Sequence, residues 1–591
     1  MIIDLMRNQH FLFLAGIAGL LAIPLLPLSP SWVTTLSYIG VYAVAVLGLV
    51  LLTGTAGMLS FGQAAFMGVG AYVSALAAQQ YGISPWLGLL VGWAITGLSA
   101  WILGAVTLPM SGHYLPIATL AWGLALTIGF ANMDVLGRND GMSGIPPLSI
   151  GALSLQSQTS MYYVVWGVVV LAMVLVRNLL DSRPGRAIRA LIGGGTMPEA
   201  MGIDTVGSKR TAFVVAALLA STAGWLYAHM LRAISPSAFG PHYSLELVFM
   251  AVIGGASSIG GALLGSGIVI LAKDALQTFL PRLMPVSGSF ESVFLGVAMV
   301  ILLIKTRTGA WPYLKRMLMM TGPTVRIPAG RSDEESGPRA GGRLSVQGIV
   351  KRFGGLVAVN KVTLEVDSGQ IVALIGPNGA GKSTTFNLIT GVLSATEGKV
   401  TFNGEDITSL TSRQIASKGI YRTFQHVKLV PSMSVVENIA IGAHLPGRGS
   451  ALRSMLRLDR REETRILRDA AEQGRRVGLG EFLFAEAGSL SLGQQRLVEI
   501  ARALAGRPSL LLLDEPAAGL RFAEKTALAK LLRELRADGV SVLLVEHDMQ
   551  FVMELVDRIF VLDFGTPIAD GVPKEIQQSE AVRRAYLGVE Q

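Results

Sequence analysis

Cysteine is absent from the 591 residues of the chain. Its absence excludes disulfide bonds, zinc–thiolate sites and cysteine nucleophiles. Charge is also scarce, at 15 % of residues against 51 % hydrophobic residues, but the scarcity is local. Residues 1–322 contain 24 charged side chains, whereas residues 323–591 contain 65. The first part therefore has the composition of a membrane-embedded domain and the second that of a soluble domain, which excludes a disordered chain and a wholly soluble fold.

The apolar runs of the first part are long enough to cross a bilayer as helices, since about 17–25 residues suffice. We expect about eight to ten transmembrane helices, in these segments: 11–28, 33–52, 58–80, 86–107, 115–131, 162–177, 211–233, 244–280 as two spans, and 289–305. The first run is long for the apolar core of a secretion signal, and further spans follow it. We therefore interpret it as an uncleaved helix.

Lysine and arginine predict the orientation of this domain, because cytoplasmic loops carry an excess of both. They crowd the loop between residues 177 and 210, and they follow the last predicted span at 305–316. Both regions should be cytoplasmic, so the chain crosses an even number of times between them. The segment 244–280 then either crosses twice or forms a re-entrant loop. These loops also explain the net charge of +9 without a face that binds nucleic acid.

Two glycine-rich stretches interrupt the apolar runs, at residues 53–63 (TGTAGMLSFGQ) and 253–261 (IGGASSIGG). Small residues often do no more than let helices pack closely. The functional interpretation is that broken helices in two halves of the domain expose backbone polar groups to a translocation path. Few ionisable residues lie inside the spans. We expect Glu246 and His229, near predicted helix ends, to be interfacial.

Three segments of the first part resemble the permease subunit of branched-chain amino-acid ABC importers: 52–72 (LTGTAGMLSFGQAAFMGVGAY), 185–204 (GRAIRALIGGGTMPEAMGID) and 250–265 (MAVIGGASSIGGALLG). The resemblance extends over roughly residues 33–305 and implies a transmembrane permease domain, which we assign to 1–320. It also implies that 185–204 carries a cytoplasmic coupling helix. The run Gly193-Gly194-Gly195 followed by Pro198 departs from the family pattern at the start of that helix.

Residues 321–342 contain glycine, proline, serine and charges of both signs without an apolar period. Such a composition is typical of a flexible linker. We assign the remaining residues, 343–591, to the soluble domain.

A phosphate-binding loop follows the apolar run 371–375. Its sequence matches G-x-x-x-x-G-K-[ST] between a predicted strand and a helix. The candidate ATP-binding residues are Gly376, Pro377, Asn378, Gly379, Ala380, Gly381, Lys382, Ser383 and Thr384. Glycine lets the backbone fold its N–H groups around phosphate oxygens, and the helix N-terminus favours the same anion. Lys382 can reach the β- and γ-phosphates, and Ser383 can ligate Mg²⁺.

Two carboxylates end the buried-strand pattern of residues 510–515. Beside a phosphate-binding loop, Asp514 is the expected Mg²⁺ organiser and Glu515 the expected base that polarises the attacking water. A further strand, 540–545, delivers His547 to its carboxyl end. Ligands bind at that edge of an α/β sheet, so His547 is expected to face the γ-phosphate. Together these residues predict an α/β P-loop ATPase that hydrolyses ATP.

The segment Leu490–Gln494 completes an ordered set that resembles the ABC ATPases, with Ser491, Gly493 and Gln494 in the signature sequence. The resemblance implies that the signature of one ATPase caps the ATP bound by another. It also implies that Phe353 stacks on adenine and that Gln425 links Mg²⁺ and water to the membrane domain. The motifs GPNGAGKST, RTFQ, LGQQRLVEIARAL and DEPAAGL resemble the ATPase subunit of branched-chain amino-acid importers in particular.

Two residues depart from this subfamily pattern. Leu492 stands where the subfamily usually has an aromatic residue, and Arg521 stands where it usually has Asn. Because the loop that carries Arg521 crosses the ATPase dimer, we expect this residue to affect the hydrolysis rate. The Arg-rich segment 441–480 is interleaved with acidic residues and is expected to be a solvated helical face that does not bind nucleic acid.

The resemblance implies a fold of α-helical polytopic membrane domain followed by an ABC ATPase with a helical subdomain, in the plasma (inner) membrane with its ATPase in the cytoplasm. The expected function is ATP-driven uptake of branched-chain or other hydrophobic amino acids. The expected partners are a second permease and a second ATPase, a separate solute-binding protein, membrane lipid and a small-molecule substrate. Urea or a related small amide or acid remains an alternative substrate. An ABC exporter and a nucleotide-gated channel are alternative classes, against which the short Gly-broken segments and the intact Glu515 and His547 argue.

Overall fold

The computed structural model describes residues 16–109 except 17 and 28, 114–283 except 152, six isolated positions between 293 and 304, 309–317, and 341–587 except 446 and 448. The chain forms two compact units. Unit 1 comprises Met1–Leu180 and Val206–Gly322, and unit 2 comprises Asp181–Thr205 and Pro323–Gln591. Most of the predicted linker, residues 321–340, lies outside the described residues. The domain boundaries at 320 and 343 therefore stay predictions.

Helices dominate residues 1–322. In chain order they are α1 (Pro30–Leu49), α2 (Gln63–Gln80), α3 (Pro85–Thr107), α4 (Tyr114–Asn132), α5 (Gln158–Leu180), α6 (Arg183–Ala190), α7 (Thr196–Ala200), α8 (Thr205–Leu231), α9 (Pro241–Gly254), α10 (Ile259–Leu283) and α11 (Trp311–Met317). Unit 2 includes α6 and α7. Short strands pair in unit 1 as β1 (Met142–Ser143) with β4 (Ala233–Ile234) and β2 (Ser149–Ile150) with β3 (Leu153–Ser154).

Among the described residues, six helical stretches are long and apolar enough to cross a membrane: Pro30–Thr55, Pro85–Thr107, Tyr114–Asn132, Gln158–Leu180, Thr205–Leu231 and Ile259–Thr278. Of the predicted span 11–28, the structure describes residue 16 and residues 18–27, which are helical at 18–22 and form a 3-10 turn at Ile23–Leu25. The predicted span 289–305 lies largely outside the described residues. The predicted pair of spans at 244–280 divides into α9, of 14 residues, and the longer α10. At 1.5 Å per residue α9 is about 21 Å long, shorter than the roughly 30 Å hydrocarbon core, whereas α10 is long enough to span it. The number of crossings within 244–280 stays a prediction.

Both glycine-rich stretches are breaks between helices of unit 1. A π-helical turn, Val50–Thr55, follows α1, and the backbone is irregular from there to Gly62. Gly255, with φ 115°, separates α9 from α10. A Cβ atom on Gly54 would lie 1.7 Å from the carbonyl oxygen of Ala256, so the two breaks are in direct backbone contact. Close packing alone explains these glycines, and the translocation path remains a proposal.

The two ionisable residues expected at the interface are instead buried within unit 1. His229 is 3 % exposed and Glu246 is 6 % exposed. Nδ1 of His229 lies 2.8 Å from the carbonyl oxygen of Pro146, and Nε2 lies 2.7 Å from Ser74 Oγ. Their burial follows from helix packing, which proximity to a helix end does not reveal.

Two sheets form the core of unit 2. The four-stranded sheet is antiparallel, in the order β6-β5-β8-β9, and contains β5 (Leu344–Phe353), β6 (Leu356–Val366), β8 (Glu397–Phe402) and β9 (Glu405–Asp406). The six-stranded sheet has the order β10-β11-β12-β7-β13-β14 and is parallel except for the β13–β14 pair. Its strands are β7 (Ile371–Ile375), β10 (Ile420–Arg422), β11 (Leu510–Asp514), β12 (Ser541–Val545), β13 (Arg558–Asp563) and β14 (Thr566–Gly571).

Helices cover these sheets and complete unit 2. They are α12 (Lys382–Ile389), α13 (Ser412–Ser417), α14 (Val435–Ala440), α15 (Ala451–Met455), α16 (Arg460–Arg476), α17 (Leu492–Ala505), α18 (Phe522–Ala537), α19 (Met549–Leu555), α20 (Pro573–Gln578) and α21 (Glu580–Leu587). The central strands β7, β11 and β12 are buried along their whole length, as their continuous apolar runs predict. Because these three strands are parallel neighbours, their carboxyl ends meet at one edge of the sheet.

Candidate functional site

The loop after β7 wraps the N-terminus of α12. Gly381 adopts φ 90° immediately before the helix, and a Cβ atom there would lie 2.6 Å from the carbonyl oxygen of Ala358. Only glycine combines this conformation with so close an approach. Lys382 Nζ donates to the carbonyl oxygens of Gly376 and Pro377 at 2.7 and 2.8 Å. Burial lowers the pKa of Lys382, and the carboxylates of Glu515 and Asp514 oppose that shift.

An open cleft of about 980 Å³ lies over this loop. The predicted residues that line it are Asn378, Gly379, Ala380, Gly381, Lys382, Ser383, Thr384, Gln425, Glu515 and His547. The sheet edge thus brings the loop and both flanking strands together, as parallel pairing requires. An anion bound in the cleft would face backbone N–H groups, the helix N-terminus and a lysine, which suits the phosphates of a nucleotide.

Glu515 occupies the centre of a hydrogen-bonded triad. Gln425 Nε2 donates to its Oε1 at 2.9 Å, and His547 Nε2 lies 3.0 Å from the same oxygen. Glu515 has a left-handed backbone with φ 50°, which is rare for a residue with a Cβ atom. Such strain persists where the surroundings enforce it, and it is common at functional sites. Both contacts are made to Oε1, so Oε2 is the oxygen positioned to accept a proton.

Asp514 lies beside this triad but is 3 % exposed. Its Oδ2 lies 3.8 Å from Nη2 of Arg422, and Nη1 of the same arginine donates to Asn387 Oδ1 at 2.8 Å. Burial raises the pKa of Asp514, and Arg422 opposes the shift. Its Oδ1 is buried and has no hydrogen-bond partner among the described residues. An orphaned carboxylate oxygen near Ser383 and Gln425 fits a Mg²⁺ ion or its bound water.

The structure does not bring every predicted site residue to this cleft. Phe353 ends β5 with 46 % of its surface exposed, and it is not among the cleft-lining residues. Phe564 does line the cleft. Sequence reasoning missed Phe564, although its position in the turn after β13, at the same sheet edge, is a usable signal. The adenine-stacking role of Phe353 stays a prediction.

The signature residues start α17. Ser491 and Gln494 form a capping box, in which the Gln494 N–H donates to Ser491 Oγ at 3.3 Å and the Ser491 N–H donates to Gln494 Oε1 at 3.1 Å. Leu492 is 57 % exposed, and Gly493 precedes Gln494 in the first turn. None of these residues lines the cleft described above. Ser491 and Leu492 are exposed and Gln494 is half-buried, whereas Gly493 is buried against Leu520 and Glu524.

The segment 181–205 is part of unit 2 and presents three arginines to it. Arg186 donates to both carboxylate oxygens of Glu463, at 3.1 Å for one of them. Arg189 lies 2.8 Å from Glu437 Oε1. The third arginine, Arg183, donates to the carbonyl oxygens of His444 and Gly449 at 2.8 and 2.7 Å, and its Nε lies 3.8 Å from Glu462.

Burial and neighbouring charges determine which side chains are ionised where the arginines of 181–205 pack against the rest of unit 2. Burial and the positive charges of Arg183, Arg186 and Arg413 lower the pKa of His444 to about 3, so it is neutral at physiological pH. Burial opposes ionisation of Glu437, yet Arg189 and hydrogen bonds from Ser434 keep its pKa below the ordinary value. The predicted glycine-rich departure forms a 3-10 turn, Leu191–Gly193, before α7.

Comparisons with known proteins match both parts of the chain. A family model described as branched-chain amino acid transport system/permease component matches residues 31–303. The ABC transporter model matches residues 359–518, and a branched-chain amino acid ATP-binding cassette transporter model matches residues 566–591.

Relatives of the soluble part are similar over nearly their full length. The high-affinity branched-chain amino acid transport ATP-binding protein BraF of Pseudomonas aeruginosa is 45 % identical over 248 residues, 42 % of this chain and 97 % of the relative. LivG of Escherichia coli K12 is 44 % identical over the same shares of both chains. A crystal structure of a nucleotide-free ATP-binding cassette is 34 % identical, covers 42 % of this chain and all of its own, and has a TM-score of 0.38.

Proposed function

This chain belongs to the branched-chain amino acid ABC transporter family and joins its permease and ATP-binding components in one polypeptide, and from that premise we propose that it drives uptake of branched-chain or other hydrophobic amino acids. It is a multi-pass membrane protein that hydrolyses ATP with a cytoplasmic ATPase domain. The plasma (inner) membrane is its proposed location. The observation that carries the proposal is the presence of this permease match and this ATPase match in one chain.

We assign the chemistry of hydrolysis to the triad at the sheet edge. Glu515 is the proposed base, because its Oε1 is held by Gln425 and His547, which leaves Oε2 to accept a proton from water. His547 must carry its proton on Nε2 to donate to this carboxylate. Lys382 and the N-terminus of α12 stabilise the charge on the phosphates. Phosphoryl transfer needs little else from a protein beyond such positioning.

Mg²⁺ is the proposed cofactor, and it would neutralise charge on the β- and γ-phosphates. Ser383, Gln425 and Asp514 would hold it, which is consistent with the unpartnered Oδ1 of Asp514. Among the described residues no cluster of three or more His, Asp or Glu side chains could hold a metal alone.

A second permease and a second ATPase, or a second copy of this chain, complete the proposed assembly. The start of α17 supports this proposal, since Ser491, Gly493 and Gln494 lie outside the chain's own cleft and Ser491 is exposed there to a partner's ATP. A separate solute-binding protein is the proposed source of substrate. The ion pairs between α6 and the rest of unit 2 make residues 181–205 the proposed coupling segment.

Uptake into proteoliposomes tests the function. The complex is reconstituted with its solute-binding protein and screened with labelled leucine, isoleucine, valine, aromatic amino acids and urea, with and without ATP. We expect ATP-dependent uptake of the branched-chain amino acids and none with Glu515→Gln. Uptake of urea alone, or ATP-driven efflux from preloaded vesicles, would contradict the proposal.

A further inference from the structure

Glu246 is a carboxylate buried in the apolar helices of unit 1. It lies on α9, about 8 Å along the helix axis from Pro241, and is 6 % exposed. Its Oε1 accepts a hydrogen bond from Lys273 Nζ of α10 at 2.9 Å, and His242 Nε2 lies 3.2 Å from the same oxygen. Among the described residues of unit 1, this is the ion pair whose carboxylate is buried. Charges within membrane segments are expensive and commonly mark a substrate pathway.

Half-buried tyrosines from three helices form a cluster that reaches this carboxylate through Tyr42: Tyr38 and Tyr42 on α1, Tyr227 on α8 and Tyr243 on α9. The rings of Tyr38 and Tyr227 meet edge to face at 6.5 Å between centroids. Lys273 Nζ lies 5.7 Å from the centroid of the Tyr243 ring. Tyr42 has Glu246, Tyr227 and Tyr243 among its electrostatic neighbours. The carboxylate therefore lies beside a group of aromatic rings contributed by α1, α8 and α9.

This combination matches the chemistry of a hydrophobic amino acid. The zwitterion carries an ammonium group, a carboxylate and an apolar side chain. Glu246 complements the ammonium group, and aromatic rings provide apolar surface and favour a nearby cation. Lys273 already places an ammonium group 2.9 Å from Glu246. The resting ion pair thus shows the contact that a substrate ammonium would make.

The two partners differ in their freedom to separate. The side chain of Lys273 is 25 % exposed and ends a flexible four-carbon stem, whereas that of Glu246 is 8 % exposed. Lysine can therefore withdraw while the glutamate stays in place. Because residues 177–210 are predicted to be cytoplasmic, α8 should cross the membrane from the cytoplasmic side to the external side. In that orientation α9 begins at the external side of the membrane. Glu246 then lies in the outer part of the membrane, where solute enters during uptake.

We propose that Glu246 binds the α-ammonium group of the transported amino acid, with Lys273 as its counter-ion in the substrate-free protein. The proposal rests on the proposed function of amino-acid uptake and assigns a substrate-binding site to the permease. The tyrosines around Glu246 contact the apolar side chain of the substrate.

Substitution of each charged residue in the full complex tests the proposal. Leucine uptake is measured in proteoliposomes with saturating solute-binding protein, together with ATP hydrolysis and thermal stability. We expect Glu246→Gln to lower leucine uptake at least tenfold, because the neutral amide cannot pair with an ammonium group. Glu246→Asp keeps the charge and should raise the KM for loaded binding protein with partial uptake. Lys273→Gln should retain uptake, since the ammonium ligand remains.

Asp274→Asn is the matched control, because Asp274 is an exposed neighbour on α10 and its substitution removes the same charge. It should leave uptake unchanged. A purely structural ion pair predicts the opposite pattern: equal losses in Glu246→Gln and Lys273→Gln, and rescue by the exchanged pair Glu246→Lys/Lys273→Glu. That pattern, or full uptake by Glu246→Gln, would overturn the proposal. A wild-type complex that takes up no amino acid would instead overturn the proposed function and this site with it.

Discussion

Replacing Glu463 with Gln should weaken the attachment of α6 to the rest of unit 2. The Arg186 side chain is 3 % exposed and donates to both oxygens of Glu463, whose side chain is 15 % exposed. Glutamine keeps the shape and one acceptor but leaves a buried guanidinium without its counter-charge. Breaking a buried pair on one side costs about 3–5 kcal/mol, and losing a charge-assisted hydrogen bond costs about 1.5–3 kcal/mol. Because an amide oxygen remains, we expect about 2 kcal/mol.

Hydrogen–deuterium exchange in the full chain measures this loosening directly. A change of 1.4 kcal/mol alters an equilibrium about tenfold, so amides of residues 183–190 should exchange at least tenfold faster in Glu463→Gln. If 181–205 couples hydrolysis to transport, the number of leucine molecules imported per ATP should fall as well. Glu462→Gln is the matched control on the same helix, since Glu462 lies 3.8 Å from Arg183 with 23 % of its side chain exposed, and an amide oxygen can still accept from the Gly449 N–H as its Oε1 does at 3.1 Å.

The double substitution Arg186→Met/Glu463→Met separates charge from packing. Removing both charges avoids the unpaired guanidinium, so exchange should return most of the way to the wild-type rate. Equal exchange in wild type and Glu463→Gln would refute the reasoning. The same would follow if Glu462→Gln loosened the helix as much as Glu463→Gln does.

Three further predictions concern unit 2. Glu515→Gln should bind ATP normally but lose at least about a hundredfold in steady hydrolysis, whereas Lys382→Ala should weaken both, as nucleotide titration and phosphate release will report. Arg521→Asn should raise the melting temperature, because the side chain of Asn at this N-cap can accept a hydrogen bond from a backbone N–H in the first turn of α18. The same substitution should change the ATP hydrolysis rate at saturating ATP. Equal rates in the two proteins would remove Arg521 from the mechanism. The pKa of Glu437 is lowered in the folded protein, so its pair with Arg189 stabilises the fold fully above the ordinary Glu pKa of about 4.3. This stabilisation is lost as the pH falls through the folded pKa of Glu437. Hydrogen–deuterium exchange at α6, followed from pH 6 to 3.5, should therefore show the loss only below the ordinary value.

The candidate ATP site follows from sequence to the extent that its residues lie next to strands. The buried runs of β7, β11 and β12 fix which residues end a strand, and parallel pairing then gathers Lys382, Glu515 and His547 at one edge. Phe353 ends a strand of the other sheet, and no local pattern reports how the two sheets meet. The φ of 50° at Glu515 is likewise invisible in sequence, because the surrounding hydrogen bonds impose it.

Unit 1 was predictable in its apolar runs but not in its helix ends. Hydropathy locates α3, α4 and α5 closely, since lipid imposes the length of a spanning helix. It does not resolve 244–280, where Gly255 divides an apolar run that has no change in hydropathy. Nor does it reveal that Glu246 is buried, because its partner Lys273 is 27 residues away and meets it only when α9 and α10 pack together.

A short stretch of backbone joins Gln425 to the part of unit 2 that binds the arginines of α6. Several hydrogen bonds hold this stretch in place. Arg496 of α17 donates to the carbonyl oxygen of Gln425 at 2.6 Å. Three residues on, Glu499 accepts from the Lys428 N–H at 2.9 Å. The next residue that holds this stretch is Asn438 of α14, which is hydrogen-bonded to Val430. The same helix that begins with the signature residues therefore fixes the backbone that carries the Gln425 side chain.

Asn438 clamps Val430 from both sides, accepting from its N–H at 2.9 Å and donating to its carbonyl oxygen at 3.1 Å. Its neighbour Glu437 binds Arg189 of α6. A shift of Gln425 against Glu515 must therefore strain these buried, charge-assisted contacts or move α14 with it. Contacts within unit 2 thus connect the backbone of Gln425 to the helix that binds Arg189, and Asn438 is one of the residues that make this connection.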